Sequence, residues 1–88
     1  MQRCAFAVRG RVQGVGFRWF TERAAGRHGV AGWVRNEPDG SVCGEVEGPP
    51  AAVAAFLAEL RRGPRAGRVD ELTAADLPVR GEAGFTIR

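Results

Sequence analysis

The sequence predicts an α+β sandwich in which one antiparallel sheet carries two helices on one face. Three observations lead there. The chain has 88 residues, enough for one domain with one core. Its apolar periodicity runs in the order strand, helix, strand, strand, helix, strand. Each expected helix has a single apolar stripe and each strand about one apolar face, and a sheet covered on one side buries all of them. Residues 1–88 read as one domain.

The elements follow in chain order. Cys4, Phe6 and Val8 share one parity while Ala5, Ala7 and Arg9 share the other, the period of a strand with one buried face. Gly10, Gly14 and Gly16 then break the alternation and mark a loop with unusual backbone angles. From Phe17 the spacing turns helical through Phe20 and Ala24, and Gly29 caps the end after Arg27 and His28, where cations suit the helix dipole. Val30 to Asn36 reads as the second strand. Glu37-Pro38-Asp39-Gly40 is a turn. Ser41 to Gly48 is the third strand, with Val42, Gly44 and Val46 on one face and Cys43, Glu45 and Glu47 directed to solvent. Pro49-Pro50 opens the second helix, whose stripe is Val53, Phe56, Leu57 and Leu60. Gly63-Pro64 ends it. Val69 to Leu77 is a fourth strand, and Phe85-Thr86-Ile87 a short last one. This βαββαβ order is that of a ferredoxin-like sandwich.

Composition bounds the function only loosely. Hydrophobic residues at 44% and charged residues at 26% are ordinary for a globular domain. No apolar run is long enough for a membrane span, and Arg3 is followed by no signal-like stretch, so a cytoplasmic location is expected. The net charge is +3, and every basic residue apart from His28 is arginine. Abundant Ala and Gly beside that bias point to genomic base composition, and the charge by itself is weak support for nucleic acid. The two cysteines, Cys4 and Cys43, fall on opposite strand faces and are expected to be free thiols. Trp19 and Trp33 read as packing or partly exposed surface. Arg61, Arg62, Arg65 and Arg68 read as a solvated basic face.

Chemistry begins at Gly10 to Arg18. A glycine-rich turn that leaves a strand and starts a helix points several N–H groups into one concavity, a nest for anions. Arg18 in the first helical turn can close that nest with a planar fork. The expected ligand is phosphate-like. Rival phosphate motifs fit worse. The dinucleotide fingerprint needs a different glycine spacing, and the nucleotide P-loop needs a lysine that this chain lacks. No set of metal ligands is expected to converge, since His28 is the only histidine and no carboxylates cluster by the loop. No cofactor is expected.

Gly10-Arg11-Val12-Gln13-Gly14-Val15-Gly16-Phe17-Arg18 closely resembles the signature of the acylphosphatase family. Gly32-Trp33-Val34-Arg35-Asn36, followed by Asp39-Gly40-Ser41-Val42, resembles that family's second signature at the expected separation. The closing Phe85-Thr86-Ile87-Arg88 is similar too. The resemblance spans nearly the whole chain and implies the ferredoxin-like fold reached above. It further implies metal-independent hydrolysis of a small acyl phosphate, with Arg18 binding phosphate together with the loop residues Arg11, Val12, Gln13, Gly14, Val15, Gly16 and Phe17. Asn36 would position the attacking water. A monomer with no nucleic-acid or membrane partner is expected.

Two other functions share this topology. An RNA-binding module stacks bases on exposed aromatics of its central strands, whereas the corresponding positions here are Ala5, Ala7, Arg9, Cys43, Glu45 and Glu47. Acylphosphatase-like domains also open larger hydrogenase-maturation proteins that handle carbamoyl phosphate. The chain reads as a free-standing domain, and comparing benzoyl phosphate with carbamoyl phosphate as substrates separates the two.

Overall fold

The computed structural model describes residues 1–88. Strand β1 spans Gln2–Arg11, helix α1 Phe17–His28, β2 Ala31–Asn36, β3 Val42–Gly48, α2 Pro50–Arg62, β4 Arg68–Leu77 and β5 Phe85–Ile87. One five-stranded sheet has the order β4-β1-β3-β2-β5. The β1–β3, β1–β4 and β2–β3 pairs are antiparallel. The added edge strand β5 runs parallel to β2, which makes the sheet mixed. Parallel neighbours need a long crossover, and the chain from α2 through β4 to the far edge supplies it.

The core lies between the sheet and the two helices. Cys4, Phe6, Val8, Val34, Val42 and Val46 project from the strands, and Phe17, Ala24, Ala25, Val53, Phe56 and Leu60 from the helices. Phe56 is the hinge of this packing. Its ring meets Phe6 edge-on at 5.8 Å and tilts against Phe85 at 5.8 Å, so one aromatic ties α2 to both a central and an edge strand. Helix α1 ends as its sequence dictates, with Gly29 left-handed and its N–H donating to the Ala25 carbonyl. His28 and Arg27 in that last turn both pair with Glu59 of α2, bracing the helices against each other. Cys4 lies opposite Val46 in the core while Cys43 lies opposite Ala7, and both thiols are free.

The expectation that Glu47 faces solvent is wrong. Glu47 is 2% exposed and Arg3, directly opposite it on β1, is 1% exposed. Alternation correctly puts both on the face away from the helices, but residues 78–84 cross that face between the two edges of the sheet. Glu47 accepts the backbone N–H groups of Arg80 (2.7 Å), Gly81 (2.8 Å) and Glu82 (3.2 Å). Arg3 fills the remaining space and reaches Glu47 (3.1 Å), Glu45 (2.7 Å) and Glu82 (2.7 Å). Burial pulls the Arg3 guanidinium down, yet its hydrogen bonds to Glu82, Glu45 and Glu47 outweigh that and hold it above its ordinary value. The Arg80 N–H is the largest influence on Glu47, and with Arg3 it keeps that carboxylate below the usual range.

Trp33 lies on the same face, 8% exposed. The guanidinium groups of Arg35 (5.0 Å) and Arg88 (4.7 Å) both lie over its ring. The Arg88 N–H donates to the Val34 carbonyl at 2.8 Å, fixing the chain end beside β2.

Candidate phosphate site

The site is assembled from the loop after β1, the first turn of α1 and the last residue of β2. A β-bulge at Arg9/Gly10 redirects β1 as it leaves the sheet. Gly10 has φ 135° there, and a Cβ at that position would lie 2.3 Å from the Arg68 carbonyl oxygen, so only glycine passes so near β4. Gly14 and Gly16 have φ 75° and 77°, with open space where a Cβ would stand. Backbone angle, not crowding, demands glycine at these two positions. The result is a curled loop whose inner side is left clear.

The loop's donors are uncommitted. No backbone N–H of residues 13–16 donates to an acceptor within the chain. Gly16 caps α1 in a left-handed conformation without a side-chain cap, so the first-turn N–H groups are free as well. A cavity of about 250 Å³ opens over them, lined by Val12, Gly14, Gly16, Phe17, Arg18, Trp19, Asn36 and Ile87. Arg18 is exposed and belongs to none of the fold's ion pairs. No carboxylate lines the cavity. Loop residues with free N–H groups, a helix N-terminus and an unpaired arginine therefore border one space, an arrangement suited to an anion.

Of the residues the sequence nominates, Val12, Gly14, Gly16, Phe17, Arg18 and Asn36 line this cavity. Arg11, Gln13 and Val15 do not. Arg11 stays in β1 opposite Arg68. Val15 lines a neighbouring cleft. The Gln13 side chain turns away and donates to the carbonyls of Glu37 (2.8 Å) and Ser41 (2.9 Å). It thereby pins the loop to the β2–β3 turn that follows Asn36. Val12 is also core, 1% exposed. The sequence reading missed Trp19 and Ile87 as lining residues. Trp19 had a signal, since it adjoins Arg18 on the polar side of its helix. Ile87 had none, because its place follows from parallel pairing of β5 with β2, Val34 opposite Ile87.

The carboxylates of the β2–β3 turn are engaged elsewhere. Glu37 accepts from Cys43 Sγ (2.7 Å) and Arg35 Nε (2.9 Å), and those two bonds hold it below its ordinary value. Burial, then Glu37, pushes the Cys43 thiol up, so it is no thiolate nucleophile. Asp39 accepts the Ser41 hydroxyl (2.6 Å) and N–H (3.0 Å) and faces Arg9 at 3.1 Å. The Ser41 hydroxyl, then its N–H, then Arg9 bring Asp39 down to about 2. His28 stands with Glu59 at the other end of α1. Nowhere do three His, Cys, Asp or Glu side chains converge as metal ligands.

The Asp39 turn has a pH signature. Its folded value lies below the ordinary value of about 3.9 for an unfolded chain. Its contribution to stability is thus complete above that value and is lost as pH falls through about 2. A carboxyl-carbon NMR titration should place Asp39 near 2, and the same titration of Ser41→Ala should move it back toward the ordinary range.

Comparison with known proteins bears on this geometry. A family model described as "Acylphosphatase" matches residues 4–87. An acylphosphatase from Nocardioides sp. is 52% identical over 81 residues, covering 92% of this chain and 82% of the relative. One from Nitrobacter hamburgensis is 56% identical over 81 residues, covering 92% and 80%. The crystal structure of an acylphosphatase from Bacillus subtilis superposes with a TM-score of 0.97 at 35% identity, covering 100% of this chain and 99% of that one. No helix here is long and apolar enough to cross a membrane.

Proposed function

The chain belongs to the acylphosphatase family, and from that premise we propose that it cleaves the carboxyl–phosphate bond of small acyl phosphates using Arg18 and Asn36. The observation that carries this reading is the shared cavity, lined by Arg18 and Asn36 together with Gly14 and Gly16, whose N–H groups are uncommitted.

An acyl phosphate is a mixed anhydride whose leaving group is a carboxylate. So weak a base departs without a general acid, which fits a cavity that offers none. What remains is positioning and charge stabilisation, the main requirements of phosphoryl transfer. The N–H groups of Gly14, Gly16 and Phe17 and the Arg18 fork hold the phosphoryl oxygens and stabilise them as the transition state forms. Asn36 is an amide and takes up no proton at neutral pH, but its carboxamide can orient a water by hydrogen bonds. The water oxygen bonds to phosphorus as the bond to the acyl oxygen breaks, and that electron pair leaves with the carboxylate. The water's proton passes to a phosphate oxygen of the substrate itself. No step requires a metal.

Turnover of benzoyl phosphate with a chelator present is the direct test, and the rate should not change when the chelator is added. Asn36→Ala should lower kcat by roughly a hundredfold to a thousandfold, the scale of losing one positioned polar group. Inhibition by inorganic phosphate should persist in that variant. A near-normal rate would remove Asn36 from the mechanism.

A further inference from the structure

A second cleft adjoins the phosphate cavity along α1. It encloses about 370 Å³ and shares Gly16 and Trp19 with that cavity. Val15, Trp19, Phe20 and Pro64 supply apolar wall, and Arg23, Arg27 and Arg65 supply charge. No acidic residue lines it. Trp19 is 60% exposed, and the Arg23 guanidinium lies over its ring at 4.7 Å, one helical turn on. Arg27 is neutralised by Glu59. Arg23 and Arg65 have no carboxylate partner anywhere in the fold.

Resting on the phosphate-site reading above, we propose that this cleft is the acyl subsite and selects acyl groups that combine an apolar body with a distal carboxylate. A phosphoryl group held by the loop and Arg18 occupies the smaller cavity, so the acyl group must project past its walls. Trp19 is a wall of both spaces and offers a flat apolar surface along that path. Beyond it an apolar body meets Val15, Phe20 and Pro64. The two unpaired forks of Arg23 and Arg65 match a carboxylate at the far end of such a body, since each can donate two parallel hydrogen bonds. Nothing in the cleft repels an anion. The distal carboxylate is remote from phosphorus and keeps its charge throughout, so it is bound equally before and during the reaction. Its effect belongs in KM rather than in kcat.

The test compares benzoyl phosphate with 4-carboxybenzoyl phosphate, which differ only by that carboxylate. The native enzyme should favour the carboxylated substrate by about fivefold or more in kcat/KM, carried by KM, as expected for charge-assisted bonds at a partly exposed site. In the Arg23→Gln, Arg65→Gln double variant the ratio should collapse toward one, and in the native enzyme it should shrink as salt rises. Trp19→Ala should raise KM for both substrates alike. An unchanged ratio in the double variant, or no native preference, overturns the acyl subsite and leaves the phosphate site standing. Failure to hydrolyse either substrate overturns both.

Discussion

Arg18→Gln should lower kcat/KM on benzoyl phosphate by about a thousandfold or more and abolish inhibition by inorganic phosphate. Removing a single preorganised donor from a transition state costs roughly 2.7–4 kcal/mol, and Arg18 is asked to supply more than one bond and a full charge. The charge is also needed before the reaction, since the cavity has no other cationic side chain. Binding and turnover should therefore fall together, in contrast to Asn36→Ala, where binding persists. Folding should not suffer. Arg18 is exposed and takes part in no ion pair of the fold, and surface substitutions of that kind shift stability by about 0.5 kcal/mol or less. Arg18→Lys separates charge from shape. An ammonium keeps the attraction but lacks the planar fork, so it should recover part of the phosphate inhibition and little of the rate. Steady-state kinetics with phosphate as inhibitor, beside a urea melt of each variant, reads all of this. A fully active Arg18→Gln enzyme would sink the proposed site.

How far the sequence carried the structure depends on which force placed each residue. Helices α1 and α2 were legible to the residue because local rules govern their ends: Gly29 and Gly63 terminate them and Pro49-Pro50 starts the second. Strand parity was legible too, and it correctly set Cys4 and Cys43 apart. It failed to tell solvent from cover at Glu47, because alternation reports which face a side chain takes and not what later chain lies over that face. The direction of β5 was beyond reach for the same reason, and Ile87 with it. At the site, the glycines and Arg18 announce an anion through local chemistry alone. The connection to Asn36 came from resemblance to a family, since nothing in the spacing of residues 18 and 36 brings them together. The structure joins them through pairing of β2 with β3 and through Gln13, whose side chain spans from the loop to the turn. That long-range tie has no periodic signal.

The buried ion cluster under residues 78–84 leads to the second large effect, this time on stability. Arg3→Met should destabilise the domain by about 3–5 kcal/mol, as breaking a buried pair by removing one partner does. For a chain of this length the whole margin is only about 5–15 kcal/mol, and the melting temperature should drop by roughly 15 °C or more. Methionine keeps most of the arginine's unbranched aliphatic stem, so loss of packing is minor. What remains is Glu47 buried without its cation, beside Glu45 and Glu82. The sign of the pH dependence distinguishes this cause from a packing defect. In the native protein Glu47 titrates below its ordinary range, so its contribution is present above an unfolded value of about 4.3 and is lost as pH falls through the folded one. Without Arg3 the carboxylate loses one of the groups that hold its value down, while the Arg80 and Gly81 N–H groups remain, so the variant has less stability to lose than the native protein as pH falls. The gap between the two should therefore be widest near pH 7 and narrow steadily below about pH 5. Urea unfolding of both proteins across that range measures it. A gap that stays constant with pH would mean that Arg3 acts through packing alone, and a loss under about 1 kcal/mol would mean that the crossing segment is held by the backbone N–H bonds to Glu47 without help from the guanidinium.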